Sequence, residues 1–280
     1  MTLPTIGVTG ATGAVGGMVV ELLSAAGVPQ RVLARSPERA PSPEGAVVLP
    51  CEYVDDPMTR KVLEGVETLL MVSAAETADR IARQAAFIDA AAAAGVRHVV
   101  YTSFLGASPT ARFTLARDHA ATEAHLLASG MVTTFLRDNL YLDFLPRMIG
   151  EDGAIRGPAA DGRVAGVARS DVARVAATVL EHPEQHVGAV YDLTGPAALS
   201  LAEVAAILAE RLDRPVRYVP ETIDEAYASR ESYGAPGWQL DAWVSTYTAI
   251  AAGDFARVSD DVRRVTGRAP RSFADVLAAL

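Results

Sequence analysis

Val8-Thr9-Gly10-Ala11-Thr12-Gly13-Ala14-Val15-Gly16 is the stretch on which the reading of this chain turns. A short β-like run, residues 5–9, leads into it. A segment of helical spacing, residues 14–26, leads out, with Val15, Val19, Leu22 and Leu23 as its apolar positions and Gly27 as its stop. Glycines at 10, 13 and 16 fall in a G-x-x-G-x-x-G spacing. Between a strand and a helix each has its own task. Gly10 permits the tight turn, Gly13 lets a pyrophosphate approach the backbone, and Gly16 lets the helix lie close to the sheet. The unpaired N–H groups of the first helical turn then face the anion, so the backbone of Ala11, Thr12, Ala14 and Val15 joins the cradle. The competing reading is a glycine-rich turn that serves only packing.

Outward from this turn, the next strand-like run ends in Leu33-Ala34-Arg35-Ser36. An acid at its end would accept hydrogen bonds from the adenosine ribose and favour NAD. Arg35 stands there instead, with Arg39 nearby. An arginine can stack on adenine and pair with a 2′-phosphate, so NADP is expected, with NADPH preferred over NADH. An ordinary surface arginine is the alternative.

The rest of the first half alternates short apolar runs (46–49, 68–72, 96–102, 132–136) with helical ones (58–63, 77–94, 113–128). Such alternation predicts βαβ units and a parallel sheet covered on both faces. The expected fold class is α/β, a Rossmann-type doubly wound parallel sheet with a smaller, interleaved C-terminal substrate lobe. Residues 1–150 and 170–195 are assigned to the dinucleotide-binding lobe, 151–169 and 196–280 to the capping lobe. Residues 150–166 are broken by Gly, Pro and Asp into turns and a short hairpin. Ser170-Asp171 reads as the N-cap of a helix to residue 180, and Ser200-Leu201-Ala202-Glu203 as a capping box.

Composition narrows the function. Half of the 280 residues are hydrophobic and 21% are charged, enough apolar surface to build a core. The net charge of -9 leaves no basic excess to neutralise phosphates, so nucleic acid is not an expected partner. No apolar run is long enough to span a membrane, and no leader segment is evident, so a cytoplasmic location is expected. Cys51 is the single cysteine, and the five histidines show no metal-like grouping, so neither a disulfide nor a metal is expected.

The fingerprint Thr9 to Gly16 resembles that of the NmrA-like branch of the atypical short-chain dehydrogenase/reductases. Val100-Tyr101-Thr102-Ser103 resembles that family's fifth strand, and Leu136-Arg137-Asp138-Asn139-Leu140-Tyr141 its sixth strand and following loop. Gly267-Arg268-Ala269-Pro270-Arg271-Ser272-Phe273 resembles its C-terminal segment. His119-Ala120-Ala121-Thr122-Glu123 and the Arg35 position are most similar to type 2 NAD(P)H:quinone oxidoreductases. The resemblance implies cofactor contacts from Glu52 and Tyr53 near the adenine, Glu52 replacing the family's Asp. It also implies backbone contacts from Ser73, Ala74 and Ala75 along the ribose, and it places Asn139, Leu140 and Tyr141 in the loop beside the nicotinamide.

The wider superfamily pairs Tyr and Lys in Tyr-x-x-x-Lys to move the substrate proton. That pair cannot exist here: Lys61 is the only lysine, and Pro57 stands four residues before it. A quinone relaxes the requirement, because hydride transfer to it yields a stabilised hydroquinone anion and positioning becomes the main demand. The expected function is therefore NADPH-dependent hydride transfer to a quinone or similar conjugated small molecule. A non-catalytic NADP(H)-binding redox sensor and chemistry on a specialised metabolite are the alternatives. Candidate catalytic groups are Tyr141, His119 and Ser103. Each has a structural alternative: a packing tyrosine, a helix-surface histidine, and a helix-capping serine just past its strand. Trp238, Trp243 and Tyr247 are read as an aromatic wall or as core packing, Asp171 as a cap and Cys51 as incidental. Monomer and homodimer are not distinguished.

Overall fold

The computed structural model describes residues 3–279. Its first half runs β1 (Ile6–Thr9), α1 (Ala14–Ala25), β2 (Gln30–Ala34), β3 (Ala46–Pro50), α2 (Pro57–Leu63), β4 (Thr68–Met71), α3 (Arg80–Ala93), β5 (His98–Phe104), α4 (Thr114–Ala128) and β6 (Val132–Asp138). The second half runs β7 (Ala154–Gly157), β8 (Arg163–Val164), α5 (Arg169–Glu181), β9 (Val190–Leu193), β10 (Leu199–Ser200), α6 (Leu201–Leu212), β11 (Arg217–Pro220), α7 (Ile223–Arg230), α8 (Gly237–Ala251), α9 (Asp261–Thr266) and α10 (Phe273–Ala278).

Seven strands form one sheet in the order β3-β2-β1-β4-β5-β6-β9. Every pairing in it is parallel. This is the doubly wound sheet expected from the alternation. Its strands are apolar on both faces because helices cover both. Val8, Val32, Leu70, Val100 and Leu136 point to the face packed by α1 and α5, where Val19, Leu23, Val172 and Val179 meet them. Leu33, Leu69, Met71, Val99, Tyr101 and Phe135 point to the opposite face, against Phe87, Ile88 and Leu126 of α3 and α4. Each such buried side chain contributes about 1.5–3 kcal/mol, so the two faces together hold the sheet.

The second half builds a separate cluster in which Ile155, Val164, Leu201, Val204, Ile250 and Phe273 pack together. Phe104 and Phe113 from the first half complete it. The segment 196–280 does not lie wholly in that cluster. Val262 of α9 packs with α5 on the main sheet, and Asp261 accepts the backbone N–H of Asp192 on β9 at 2.8 Å.

Three local expectations are corrected. No hairpin forms in 150–166: β7 pairs in parallel with β11, and β8 pairs antiparallel with β10. Ser170-Asp171 does not cap α5, whose N-cap is Ala168 with no side-chain bond. Asp171 is instead buried within the helix and accepts the backbone N–H of Arg271 and the guanidinium of Arg174, both at 2.6 Å, so it anchors the C-terminal segment. Ser103 lies inside β5, which runs two residues beyond its expected end. The Ser200 capping box forms as read, with both reciprocal bonds present.

Candidate active site

The glycine turn takes the shape its spacing demands. Gly10 has φ of +66°, and a Cβ there would sit 2.7 Å from Cβ of Val72 on the neighbouring strand's end. A Cβ on Gly16 would lie 2.4 Å from the Gly10 carbonyl oxygen, closer than atoms approach. Gly13 is different: a Cβ there meets only that same oxygen, at 3.3 Å, so its space opens outward. Gly13 is the N-cap of α1, and no side chain caps the helix or places an acid in its first turn. Ala11 and Val15 bury their side chains in the core, while Thr12, Gly13 and Ala14 are exposed. Uncapped N–H groups at an exposed, acid-free helix start fit a pyrophosphate.

Arg35 is exposed at the end of β2, and Arg39 closes a short 3-10 turn after it. The residues expected along the adenine and ribose are less open. Glu52 is exposed, but the Tyr53 hydroxyl turns inward: it donates to the Val72 carbonyl at 2.5 Å and lies 2.8 Å from Thr9 Oγ1. Burial raises its pKa. Tyr53 braces the floor beneath the turn, and its ring meets Phe87 edge-on at 4.4 Å. The backbone N–H of Ser73 is donated to Thr102 Oγ1 at 2.8 Å, and that of Ala74 to Gln84 Oε1 at 3.1 Å. The backbone N–H groups of both residues are thus spent inside the protein, which leaves their carbonyls and the Ser73 hydroxyl as their remaining polar groups. Ala75 is exposed. Cys51 is partly buried; burial and nearby Asp56 and Glu52 push its thiol up to about 12, so it is inert as a nucleophile.

On the α3–α4 side of the sheet the candidate catalytic groups form two buried networks. His119, on α4, is not on the helix surface: it is 6% exposed. Its Nε2 lies 3.0 Å from Arg80 Nη2 and its Nδ1 3.0 Å from the Tyr101 hydroxyl. A guanidinium N–H only donates, so Nε2 is the acceptor and Nδ1 carries the proton. Tyr101 passes its own proton to Gln84 Oε1, 3.3 Å away. Burial, then the Arg80 charge, hold the imidazole pKa well below its usual value. One turn further along α4, Glu123 accepts the Ser103 hydroxyl and both arms of the Arg137 guanidinium, at 2.9 and 2.6 Å. Ser103 is wholly buried and neither caps a helix nor stands beyond its strand.

At the end of β6, Tyr141 donates its hydroxyl to Asp138, and the Arg169 guanidinium lies 5.0 Å from the tyrosine ring centre. Burial raises the Tyr141 pKa well above its usual value, with the Asp138 charge adding to it. Burial also pushes Asp138 up to about 7. The Asn139 side chain is used internally: Nδ2 donates to the Phe255 carbonyl at 2.9 Å and Oδ1 accepts the Leu140 N–H at 2.8 Å. The Leu140 carbonyl accepts the Val167 N–H at 2.9 Å. Asn139 thus clamps the loop to the C-terminal region, and both ends of its amide are bonded within the protein.

Arg80, Tyr101, Gln84 and Asp138 were not among the expected site residues. Asp138 was legible as a carboxylate at the carboxyl end of a central strand, where ligands bind in such sheets. Arg80 carries no sequence signal, because its partner His119 is 39 residues away.

Beside this polar layer lies a cleft of about 270 Å³ between the loop after β4 and helices α4 and α8. Thr77, Ala78, Thr114, Asp118, Trp238 and Asp241 line it. The three aromatics read as a wall separate here. Trp238 faces the cleft, Trp243 stacks edge-on against Tyr233, and Tyr247 packs on Gly157 beneath the Arg230 guanidinium. Lys61 is far from this chemistry in kind: it is exposed and paired with Glu64. Among the described residues, no cluster of His, Cys, Asp and Glu has the geometry to hold a metal ion, and no helix is long and apolar enough to cross a membrane.

Comparison with known proteins places this arrangement. The model of the NmrA-like family matches residues 3–229. An NAD(P)H azoreductase of Xenophilus azovorans is 34% identical over 278 residues, which cover 97% of this chain and 96% of that protein. Quinone oxidoreductase 2 of Escherichia coli (strain K12) is 32% identical over 283 residues, 98% of each. The crystal structure of an NADPH-dependent quinone oxidoreductase from Escherichia coli, complexed with NADPH, superposes with a TM-score of 0.88 at 31% identity, covering 98% of this chain and 99% of that one.

Proposed function

The chain belongs to the NmrA-like family, and from that membership we propose that it is an NADPH-dependent oxidoreductase that passes hydride to a quinone or similar conjugated acceptor held in the cleft between α4 and α8. The glycine turn receives the pyrophosphate and Arg35 the 2′-phosphate. Carbonyls of the Ser73–Ala74 segment and the backbone of the Asn139–Tyr141 loop flank the remaining half of the cofactor. When bound, NADPH supplies a hydride and its electron pair.

The observation that carries the choice of acceptor concerns protons. All three candidate donors are committed to internal acceptors: Ser103 to Glu123, His119 Nδ1 to Tyr101, and Tyr141 to Asp138. A simple ketone needs an acid to protonate the developing alkoxide. A quinone does not, because the anion it becomes is delocalised and takes its proton from water afterwards. The residues left to act are those that position: Trp238 offers a flat face, and the buried Leu115 gives the cleft an apolar wall.

The test is nicotinamide oxidation with a panel of quinones, run with NADPH, with NADH and without acceptor. Acceptor-dependent oxidation of NADPH supports the proposal. Tight NADPH binding without turnover of any acceptor overturns it in favour of a cofactor sensor.

A further inference from the structure

Three acidic residues are buried among the described ones, and two of them are paired. Glu123 bonds the Arg137 guanidinium and Asp171 that of Arg174. Asp138, 5% exposed, has no such cation. Among the described residues its carboxyl group bonds only the Tyr141 hydroxyl. Arg137, its neighbour on β6, turns to Glu123 on α4. Arg80, at the start of α3, is spent on His119 and Asp118, and Arg169, at the start of α5, lies over the Tyr141 ring. Both arginines act on Asp138 from beyond ion-pair distance, and Asp143 acts on Tyr141. A buried carboxylate without a counter-charge is costly. Burial accordingly pushes Asp138 up to about 7, so acid and carboxylate coexist near neutral pH.

The sheet order β3-β2-β1-β4-β5-β6-β9 reverses its direction of winding between β1 and β4. With the pyrophosphate on the turn after β1 and the adenosine toward Arg35 after β2, the other half of the cofactor runs over the ends of β4, β5 and β6. Asp138 is the last residue of β6, opposite Phe104 at the end of β5. A nicotinamide ring is neutral when reduced and a cation when oxidised.

We propose that Asp138 tells the two redox forms of the cofactor apart: its carboxylate is the counter-charge of the oxidised nicotinamide, and its neutral acid accompanies the reduced one. This rests on the reading of the glycine turn and Arg35 as the cofactor site. A cation beside Asp138 lowers the cost of the ionised acid. The Asp138 O–H bond breaks, its electron pair stays on the carboxylate oxygen, and the proton leaves to water. Binding of the oxidised form therefore releases a proton that binding of the reduced form does not. An ionised Asp138 also favours hydride donation, because the cation that results acquires a partner as it forms.

The experiment needs no turnover. The protein is titrated calorimetrically with NADP+ and with NADPH between about pH 5.5 and 8.5. The 2′-phosphate titrates in both forms, so it cancels in the ratio of the two affinities. A cation within about 6 Å makes a carboxyl group about tenfold or more stronger as an acid. The ratio of NADP+ to NADPH affinity should therefore rise about tenfold from the acid to the alkaline end. At about pH 6.5, NADP+ should release about half a proton more than NADPH, read from buffers of different ionisation enthalpy. Asp138→Asn keeps an acceptor for the Tyr141 hydroxyl but carries no charge. In that variant the ratio should stay flat within about twofold, and the extra proton should disappear. Tyr141→Phe removes a bond that favours the carboxylate, so it should keep the pH dependence and move its midpoint to higher pH. A cooperative melt shows that each variant is folded. A pH-independent ratio in the wild type, a dependence that persists in Asp138→Asn, or an unmoved midpoint in Tyr141→Phe overturns the assignment while leaving the cofactor site intact. Binding of neither nucleotide overturns the underlying reading as well.

Discussion

Nε2 of His119 accepts a hydrogen bond from Nη2 of Arg80 across 3.0 Å, which assigns the single imidazole proton to Nδ1. This imidazole, read from the sequence as either a catalytic group or a helix-surface histidine, is thus neutral, buried and held at both nitrogens. Nitrogen NMR of the imidazole should show the Nδ1–H tautomer and no titration near the ordinary imidazole value of 6.5. The sign of its contribution to stability follows. The folded pKa lies below the unfolded value of 6.5, so the contribution is complete above that value and is lost as the pH falls toward the folded pKa. An imidazole that titrates near 6.5 in the folded protein would refute the assignment.

Asp138 has the opposite sign. Burial pushes its folded pKa up to about 7, above the ordinary value of 3.8. The protonated acid is favoured in the fold, so its contribution is complete below about pH 4 and is lost as the pH rises to about 7. Over that window the wild type should lose up to about 4 kcal/mol relative to Asp138→Asn, whose amide still accepts the Tyr141 hydroxyl. Denaturant titrations of both proteins across the window measure the difference. Parallel curves would mean that Asp138 titrates alike in both states.

The proposed function assigns the cofactor preference to Arg35. Replacement by Glu removes a guanidinium and adds a charge that repels the 2′-phosphate. NADPH affinity should fall about a hundredfold, on the order of 3 kcal/mol, while NADH affinity should change less than about threefold. Tryptophan fluorescence titrations with both nucleotides provide the comparison. A matched loss for both would remove Arg35 from phosphate recognition.

Gly13 and Gly16 separate binding from folding. A Cβ at Gly16 meets the Gly10 carbonyl oxygen at 2.4 Å, so Gly16→Ala should cost about 1–3 kcal/mol in unfolding free energy and loosen the turn. Gly13 has extended backbone dihedrals and a Cβ there meets a single backbone oxygen, tightly, at 3.3 Å, so Gly13→Leu should cost less stability than Gly16→Ala, about 1 kcal/mol, and yet bind neither nucleotide. Paired melts and titrations check both. Normal cofactor affinity in Gly13→Leu would sink the phosphate turn.

What was legible in the sequence is what depends on near neighbours along the chain. The glycine spacing, the alternation of strand and helix, the Ser200 capping box and the absence of any Tyr-x-x-x-Lys pair are set within a few residues, by backbone dihedrals and side-chain periodicity. These determine a doubly wound sheet with a nucleotide turn at its first strand. The tertiary structure alone decided what the polar side chains do. His119 meets Arg80 and Tyr101 across 39 and 18 residues, and Asn139 spends its amide on Phe255, 116 residues away. Tyr53 turns to Thr9 and not outward, across 44 residues. A proton's place, a raised carboxyl pKa and the acidic lining of a cleft arise from desolvation and from partners brought together by packing. Neither quantity exists until the helices have closed over the sheet.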